Sequence, residues 1–147
     1  MKSKKLGNLS VGDKIGDKIK NLRSLKEYSS EEIVTDAEEI AEELKSKNVK
    51  TSQIRRIHSH IVKIYTEYTK RRSEMKGASP EKVIPKDELQ FLKPLLAYIA
   101  ARINGVETLK KVLSAAIDKV QDKEDFELFK KLYDSILAYH RFYTGER

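Results

Sequence analysis

The residues whose types and spacing are best suited to chemistry form a basic strip within the stretch 51–73. The members of this strip are Arg55, Arg56, Ser59, Lys63, Thr66 and Lys70. At about 100° per residue they fall on one side of a helix, and the only acid near them, Glu67, lies at the edge. Arginine and lysine neutralise phosphates, and a serine hydroxyl bonds phosphate oxygens without reading bases. The strip therefore predicts binding to the backbone of a nucleic acid.

The opposite side of the same stretch is apolar, which indicates that this helix packs on a core. The side chains on that arc are Ile54, Ile57, Ile61, Ile64, Tyr65 and Tyr68. A helix face that is merely solvated usually mixes both charge signs, because pairs at i,i+4 stabilise it. Two other interpretations of the strip stay open. It is a solvated basic face, or it pairs with the acidic helix that precedes it.

No catalytic residue and no metal ligand is predicted. The chain has no cysteine and three histidines. His58 and His60 point in different directions on a helix, and His140 is solitary, so we interpret His58 and His140 as packing residues. The glutamates between residues 38 and 43 are interpreted as a solvated helix face. Neither a zinc-protease motif nor a glycine-rich phosphate loop occurs. We therefore expect no cofactor, no small-molecule substrate and no enzymatic activity.

The elements that must position the strip are helices. Hydrophobic residues make up 39% and charged residues 36%, with 6 Gly, 3 Pro and no Trp. Few turn formers and many Lys, Glu, Leu, Ile and Ala favour helices over strands. Apolar residues at helical spacing predict helices over residues 29–47, 51–73, 87–103, 106–120 and 122–143. The fold class predicted is all-α, a compact bundle of about five helices. Pro94 predicts a kink or a new start in the third.

Charge is distributed in blocks along the chain. Residues 1–28 carry eight basic and three acidic side chains. Residues 31–47 carry two basic and seven acidic side chains, and residues 48–76 carry eight basic and two acidic ones. We interpret residues 1–28 as a basic, mobile N-terminal arm and residues 29–147 as a single helical-bundle domain. The arm contains a tandem repeat in which GDKI at 12–15 is followed by GDKI at 16–19. A second interpretation makes the arm a tail that contacts RNA.

The whole-chain charge points to an anionic partner. The formal net charge is +7 and the pI is near 9.4. Such a balance most often indicates nucleic acid. The basic N-terminus is not followed by an apolar stretch of signal-peptide length, and the longest apolar run, residues 95–101, is too short to cross a bilayer. We therefore expect a cytoplasmic protein that does not bind membranes.

Three stretches, in their order and spacing, resemble a known family. They are TSQIRR at 51–56, LKPLLAYIAAR at 92–102, and the segment 126–142 with ILAYH at 136–140. Together they are similar to the Csm-type small subunit of type III-A CRISPR effector complexes, over roughly residues 30–143. Ala101 stands where that family often has glycine, which implies that the helix continues.

The resemblance implies a five-helix bundle that does not cleave RNA and acts in antiviral defence. Several copies would stack as a filament beside the other subunits of the effector. Their basic residues would touch the backbone of the guide RNA and target RNA. Carried over to this sequence, the first motif marks Arg55 and Arg56, and the second marks Arg102. Alternatives are the small subunit of a type III-B complex, a protein-interaction adaptor without RNA contact, and an enzyme with an unrecognised site.

Overall fold

The computed structural model describes residues 10–74 and 84–145, and these residues form helices without a strand. The six α-helices are α1 (Val11–Lys20), α2 (Ser30–Ser46), α3 (Thr51–Glu74), α4 (Lys86–Arg102), α5 (Glu107–Ile117) and α6 (Lys123–Thr144). A short 3₁₀ turn, Leu25–Glu27, lies between α1 and α2. The all-helical prediction is confirmed. The five predicted helices correspond to α2 through α6, and α1 is additional.

Local sequence signals explain where the helices begin and end. Ser29 and Glu32 form a reciprocal capping box at the start of α2. Asp122 caps α6 by accepting a backbone N–H of the first turn. After α2 the chain turns at Asn48, with φ of 61°. Helix α4 ends at Arg102, and Gly105 in the turn after it has φ of 99°. A Cβ at Gly105 would lie 2.8 Å from side-chain atoms of Lys47 and Val49, so only glycine fits this turn.

The helices share one hydrophobic core. Helix α6 packs against α2 and α3, whereas α5 packs against α1 and α4, and α3 also contacts α4. The side chains at the centre of this core include Ile40, Ile61, Leu96, Leu113 and Phe129. Helix α4 continues through Pro94 without a new start. Gly77 and Pro80, residue types that predict a break in the chain after the helix over 51–73, lie outside the described residues.

The N-terminal segment is packed against the bundle. Ile15, Ile19 and Tyr28 are buried in the common core. A Cβ at Gly12 would lie 3.0 Å from the backbone of α5, and one at Gly16 would lie 3.3 Å from it, so the two glycines let α1 approach closely. The structure therefore does not support a mobile arm over residues 10–28, and residues 1–9 lie outside the described part. The four-residue repeat explains this packing, because residues four apart lie on the same face of a helix. The two glycines therefore share one face of α1, and so do the two isoleucines.

The acidic helix α2 finds its cations in this N-terminal segment. The Lys14 ammonium pairs with Glu39, and the Lys18 ammonium lies 2.7 Å from a carboxylate oxygen of the buried Asp36. The Tyr28 hydroxyl donates to the same carboxylate at 2.6 Å, and burial raises the pKa of Tyr28 well above its usual value. Among the described ion pairs none joins α2 to the basic strip. The interpretation in which the strip pairs with the acidic helix is therefore not supported.

Candidate nucleic-acid interface

The rotation of α3 about its own axis is fixed by its inner face. Ile54, Ile57 and Ile61 are fully buried. The Tyr133 hydroxyl of α6 donates to the Ile54 carbonyl at 2.7 Å. Toward the other end Tyr68 is buried against Phe126, with ring centroids 5.3 Å apart. These contacts hold the predicted apolar arc inward, so the opposite side of a helix about 36 Å long faces away from the core.

Every residue of the basic strip lies on the exposed side of α3, as predicted. No described carboxylate lies within 4.0 Å of the charged groups of Arg55, Arg56, Lys63 or Lys70. Lysines of other helices, in contrast, do form ion pairs. The cations of the strip are therefore available to an anion from outside. The Ser59 hydroxyl donates its proton to the Arg55 carbonyl at 3.0 Å. The Ser59 oxygen can still accept a hydrogen bond.

The structure brings Arg102 of α4 beside Arg56 of α3. Both line a groove between the two helices together with Gln53 and Tyr98. Farther along the same two helices, Lys63 of α3 and Phe91 of α4 line a second part of the groove. Arg55 and Ser59 lie about 60–100° around the α3 axis from Arg56 and so face a neighbouring direction. Lys70 lies two turns beyond Lys63 on its side of the helix.

Tyr98 lies among apolar residues in the sequence, a context that predicts a core position, and the structure departs from that prediction. Its side chain is 56% exposed, although its neighbours Leu96 and Ile99 are buried. The Arg102 guanidinium donates to the Tyr98 hydroxyl at 2.9 Å and lies 5.5 Å from the ring centroid. The exposure of Tyr98 does not follow from the sequence, because most residues around it in the motif at 92–102 are apolar. The spacing of Tyr98 and Arg102 at i,i+4 was the available signal, because such residues are neighbours on a helix surface.

Two of the three histidines, His58 and His140, have structural roles in the described fold. The His58 ring nitrogen lies 2.9 Å from an Asp134 oxygen, and its ring stacks on Tyr133 at 5.8 Å between centroids. His140 is fully buried, with Nε2 2.8 Å from the Val49 carbonyl oxygen. Both were predicted to be packing residues. Over residues 10–74 and 84–145, no group of three or more His, Cys, Asp or Glu side chains is placed to hold a metal ion.

The family comparison decides the class of protein. The family model described as Csm2 Type III-A matches residues 27–146. This chain belongs to that family. The Csm2 match extends over α2 through α6, so it contains the basic strip, Tyr98 and Arg102, while α1 and most of the 3₁₀ turn precede it. The resemblance to the Csm-type small subunit of type III-A effectors is thereby confirmed.

Two further observations complete the comparison. No curated protein and no solved structure matches the chain significantly. Within the described residues, no helix of this Csm2 family member is both long enough and apolar enough to cross a membrane.

Proposed function

We propose that this protein is a non-catalytic small subunit of a type III-A CRISPR ribonucleoprotein effector. In this role it binds the phosphate backbone of the guide RNA and target RNA duplex through the basic strip and Arg102. Base pairing between the two RNAs supplies the sequence specificity, so the subunit need only recognise shape and charge. It acts in the cytoplasm, in antiviral defence, and stacks with further copies of itself.

The observation that carries the proposal is the set of unpaired cations on α3. Like charges on one helix face repel each other weakly, by tenths of a kcal/mol per close pair. A phosphate placed against them removes that repulsion and adds charge-assisted hydrogen bonds. Arg56 and Lys70 are separated by about 21 Å along the helix, which is the length of about six nucleotides of one strand at 3.4 Å each. The strip thus has the extent of a backbone-tracking surface.

The exposed aromatic side chains support assembly with other proteins. Phe91 is 73% exposed and Phe142 is 79% exposed. Large apolar side chains are the anchors that protein interfaces most often bury. Contacts with other effector subunits and with further copies of the chain would cover them.

The decisive experiment reverses the four helix charges, Arg55, Arg56, Lys63 and Lys70, to Glu in an effector assembled with guide RNA. The affinity for target RNA is measured across a salt series. Each phosphate neutralised contributes about −0.7 to the slope of log affinity against log salt for a single strand. Loss of four contacts should therefore flatten the slope by up to about 3 and greatly weaken binding.

A matched control removes the effect of bulk charge. Lys20, Lys45, Lys131 and Arg141 are exposed cations scattered over other helices. Reversing these four also changes the formal net charge from +7 to −1. The control should keep most of the affinity and most of the slope. Equal losses in both variants, or no loss in the strip variant, would show that α3 is not the RNA surface.

The absence of catalysis is tested separately. The purified protein is incubated with single-stranded and duplex RNA in the presence of common divalent metals, and the RNA length is followed. We expect no cleavage. Cleavage that persists through purification and disappears with a point substitution in this chain would contradict the non-catalytic role.

A further inference from the structure

The groove between α3 and α4 has two parts with different chemistry. The first part, of about 430 Å³, is lined by Gln53 and Arg56 of α3 and by Tyr98 and Arg102 of α4, and no acid lines it. Its volume lies within the range of pockets that hold small organic groups. The second part contains Phe91 and Lys63 but also Glu67 and Glu88. Only the first part combines an aromatic ring with two cations and no negative charge.

The Tyr98 ring is held in place although it is exposed. Its hydroxyl accepts a hydrogen bond from Arg102, one turn along the same helix. The buried neighbours Leu96 and Ile99 fix the backbone beneath it. A ring that is already oriented loses little side-chain entropy when a ligand stacks on it. Aromatic side chains beside cations are the combination by which proteins bind unpaired nucleotides.

Gln53 supplies a third kind of contact. Its side-chain carbonyl oxygen accepts the backbone N–H of Lys50 at 2.9 Å, which fixes the orientation of the amide. The two N–H donors of the same amide remain for a ligand in the groove. An amide donor suits a base edge or a ribose hydroxyl.

We propose that this groove binds one unpaired ribonucleotide of the RNA, with its base stacked on Tyr98 and its phosphate held by Arg56 and Arg102. The proposal rests on the proposed function, and it specifies a nucleotide whose base is outside the duplex stack. A paired base presents no free face, because its neighbours in the helix cover both sides. A stacking site that is open to solvent therefore requires an unpaired one.

The test compares Tyr98→Leu, Tyr98→Phe and Tyr143→Leu in the assembled effector, measured for target RNA affinity across a salt series. Tyr98→Leu should weaken binding roughly five- to 150-fold, the range that base–aromatic stacking covers. The salt slope should stay unchanged, because stacking releases no counterion. Tyr98→Phe keeps the ring and should bind like the wild type. Tyr143→Leu makes the same change on α6, at a tyrosine that does not line the groove, and should leave the affinity unchanged.

A second measurement locates the nucleotide. Target RNAs with a single abasic site at each position in turn are bound by wild type and by Tyr98→Leu. One position, or a regularly recurring set, should weaken wild-type binding as much as the substitution does. At such a position the two changes should not add, because both remove the same stack.

Each remaining outcome overturns the proposal in a distinct way. Full affinity of Tyr98→Leu, with a steep salt slope that the fourfold strip variant loses, would refute the stacking site and keep the proposed function. Equal losses in Tyr98→Leu and Tyr98→Phe would mean that the hydroxyl only positions Arg102. Poor incorporation of Tyr98→Leu into the effector, at normal RNA affinity once incorporated, would make the groove a protein-docking surface. Failure of the strip variant to alter binding would remove the proposed function itself.

Discussion

Helices α1 and α3 are both rich in cations, and the fold uses their charges in opposite ways. In α1, Lys14 and Lys18 pair with carboxylates of α2, and Asp13 of α1 pairs with Lys111 of α5 at 2.8 Å. In α3, the four cations of the basic strip have no partner among the described carboxylates. The net charge of a segment therefore does not reveal its role. The position of opposite charges, often far away in sequence, decides whether a cation serves the fold or a ligand.

The two helices also pack by different means. Helix α3 inserts isoleucines into the core, whereas α1 brings Gly12 and Gly16 against the backbone of α5. A charged side chain on the isoleucine face of α3 would destabilise the fold because it is buried. A larger side chain on the glycine face of α1 would destabilise it because there is no room beside α5. Substitutions on each helix should therefore fail for different reasons, and those reasons can be measured.

The largest effect is expected from Ile61→Asp. Ile61 is fully buried, so the change places an unpaired charge in the core or opens the structure locally. The free energy of unfolding should fall by at least about 3 kcal/mol, which lowers the melting temperature by about 10 °C for a chain of this size. Thr66→Asp, on the exposed side of the same helix, should cost less than about 0.5 kcal/mol. Similar melting temperatures for both would mean that α3 is rotated.

The next effect is expected from Gly12→Leu. A side chain at this position meets the backbone of Thr108 at 3.0 Å, so α1 must move away from α5. Overpacking of this kind costs about 1–3 kcal/mol in the free energy of unfolding. Asp17→Leu introduces the same side chain on the exposed side of α1 and should not destabilise the protein. If Gly12→Leu melts like the wild type, α1 does not dock on α5 in solution.

A smaller effect is expected from Lys26→Met. The Lys26 ammonium lies 2.7 Å from Asp122 and 2.9 Å from Asp125, whose side chain is 1% exposed. Without Lys26 the buried Asp125 carboxylate keeps the backbone N–H of Gln121 as a donor. Chemical denaturation at neutral pH should show a loss of about 1–2 kcal/mol, because Lys26 itself is partly exposed.

The pH dependence of that loss has a defined sign. The hydrogen bond from Lys26 holds the pKa of Asp122 below its usual value. The folded protein therefore binds fewer protons there than the unfolded chain. Its contribution is complete above about pH 4 and is lost as the pH falls through the lowered pKa. In Lys26→Met, the free energy of unfolding should fall less as the pH is lowered, because the pKa of Asp122 is no longer held down by Lys26. An unchanged acid profile would mean that Lys26 does not contact Asp122. Lys131→Met, at an exposed lysine of α6, serves as the control.

The parts of the fold that local patterns specify were predictable from the sequence. The capping box at Ser29 and the apolar stripes predict the five helices α2 through α6, and the inner face of α3 follows from its period. Helix α1 was missed because its apolar stripe is short. Its glycines, which usually break helices, serve here as contact points. Only the surface of α5 shows why glycine is suitable at positions 12 and 16.

The candidate site also has features that the sequence predicts and features that depend on how the helices pack. The exposure of the cations on α3 follows from its apolar arc, and Arg102 came from the family resemblance. The proximity of Arg56 and Arg102 depends on how α4 crosses α3, which no local pattern encodes. Tyr98 was assigned to the core because its neighbours Leu96 and Ile99 are apolar. A helix face is only about a third of the circumference, however, so a shift of one residue separates buried from exposed.

The smallest effect concerns the basic strip. Replacing Arg55, Arg56, Lys63 and Lys70 together by Gln should change the free energy of unfolding by less than about 0.5 kcal/mol. Arg, Lys and Gln have similar helix propensities. Successive members of the row Arg56, Lys63 and Lys70 lie about 10.5 Å apart along the axis, which is about one Debye length at 0.1 M salt, so their mutual repulsion is weak.

The same variant should lose most of its affinity for target RNA in the assembled effector, since the phosphates lose their cations. Unchanged stability with lost affinity is what separates a ligand surface from the charge network of α1. Reversing Lys14, Lys18 and Lys26 to Glu provides the contrast, because it sets carboxylates against the carboxylates of α2 and α6 and should lower the free energy of unfolding. If the Gln variant instead loses more than about 1 kcal/mol, the strip has a partner within the chain, and the difference between the two helices disappears.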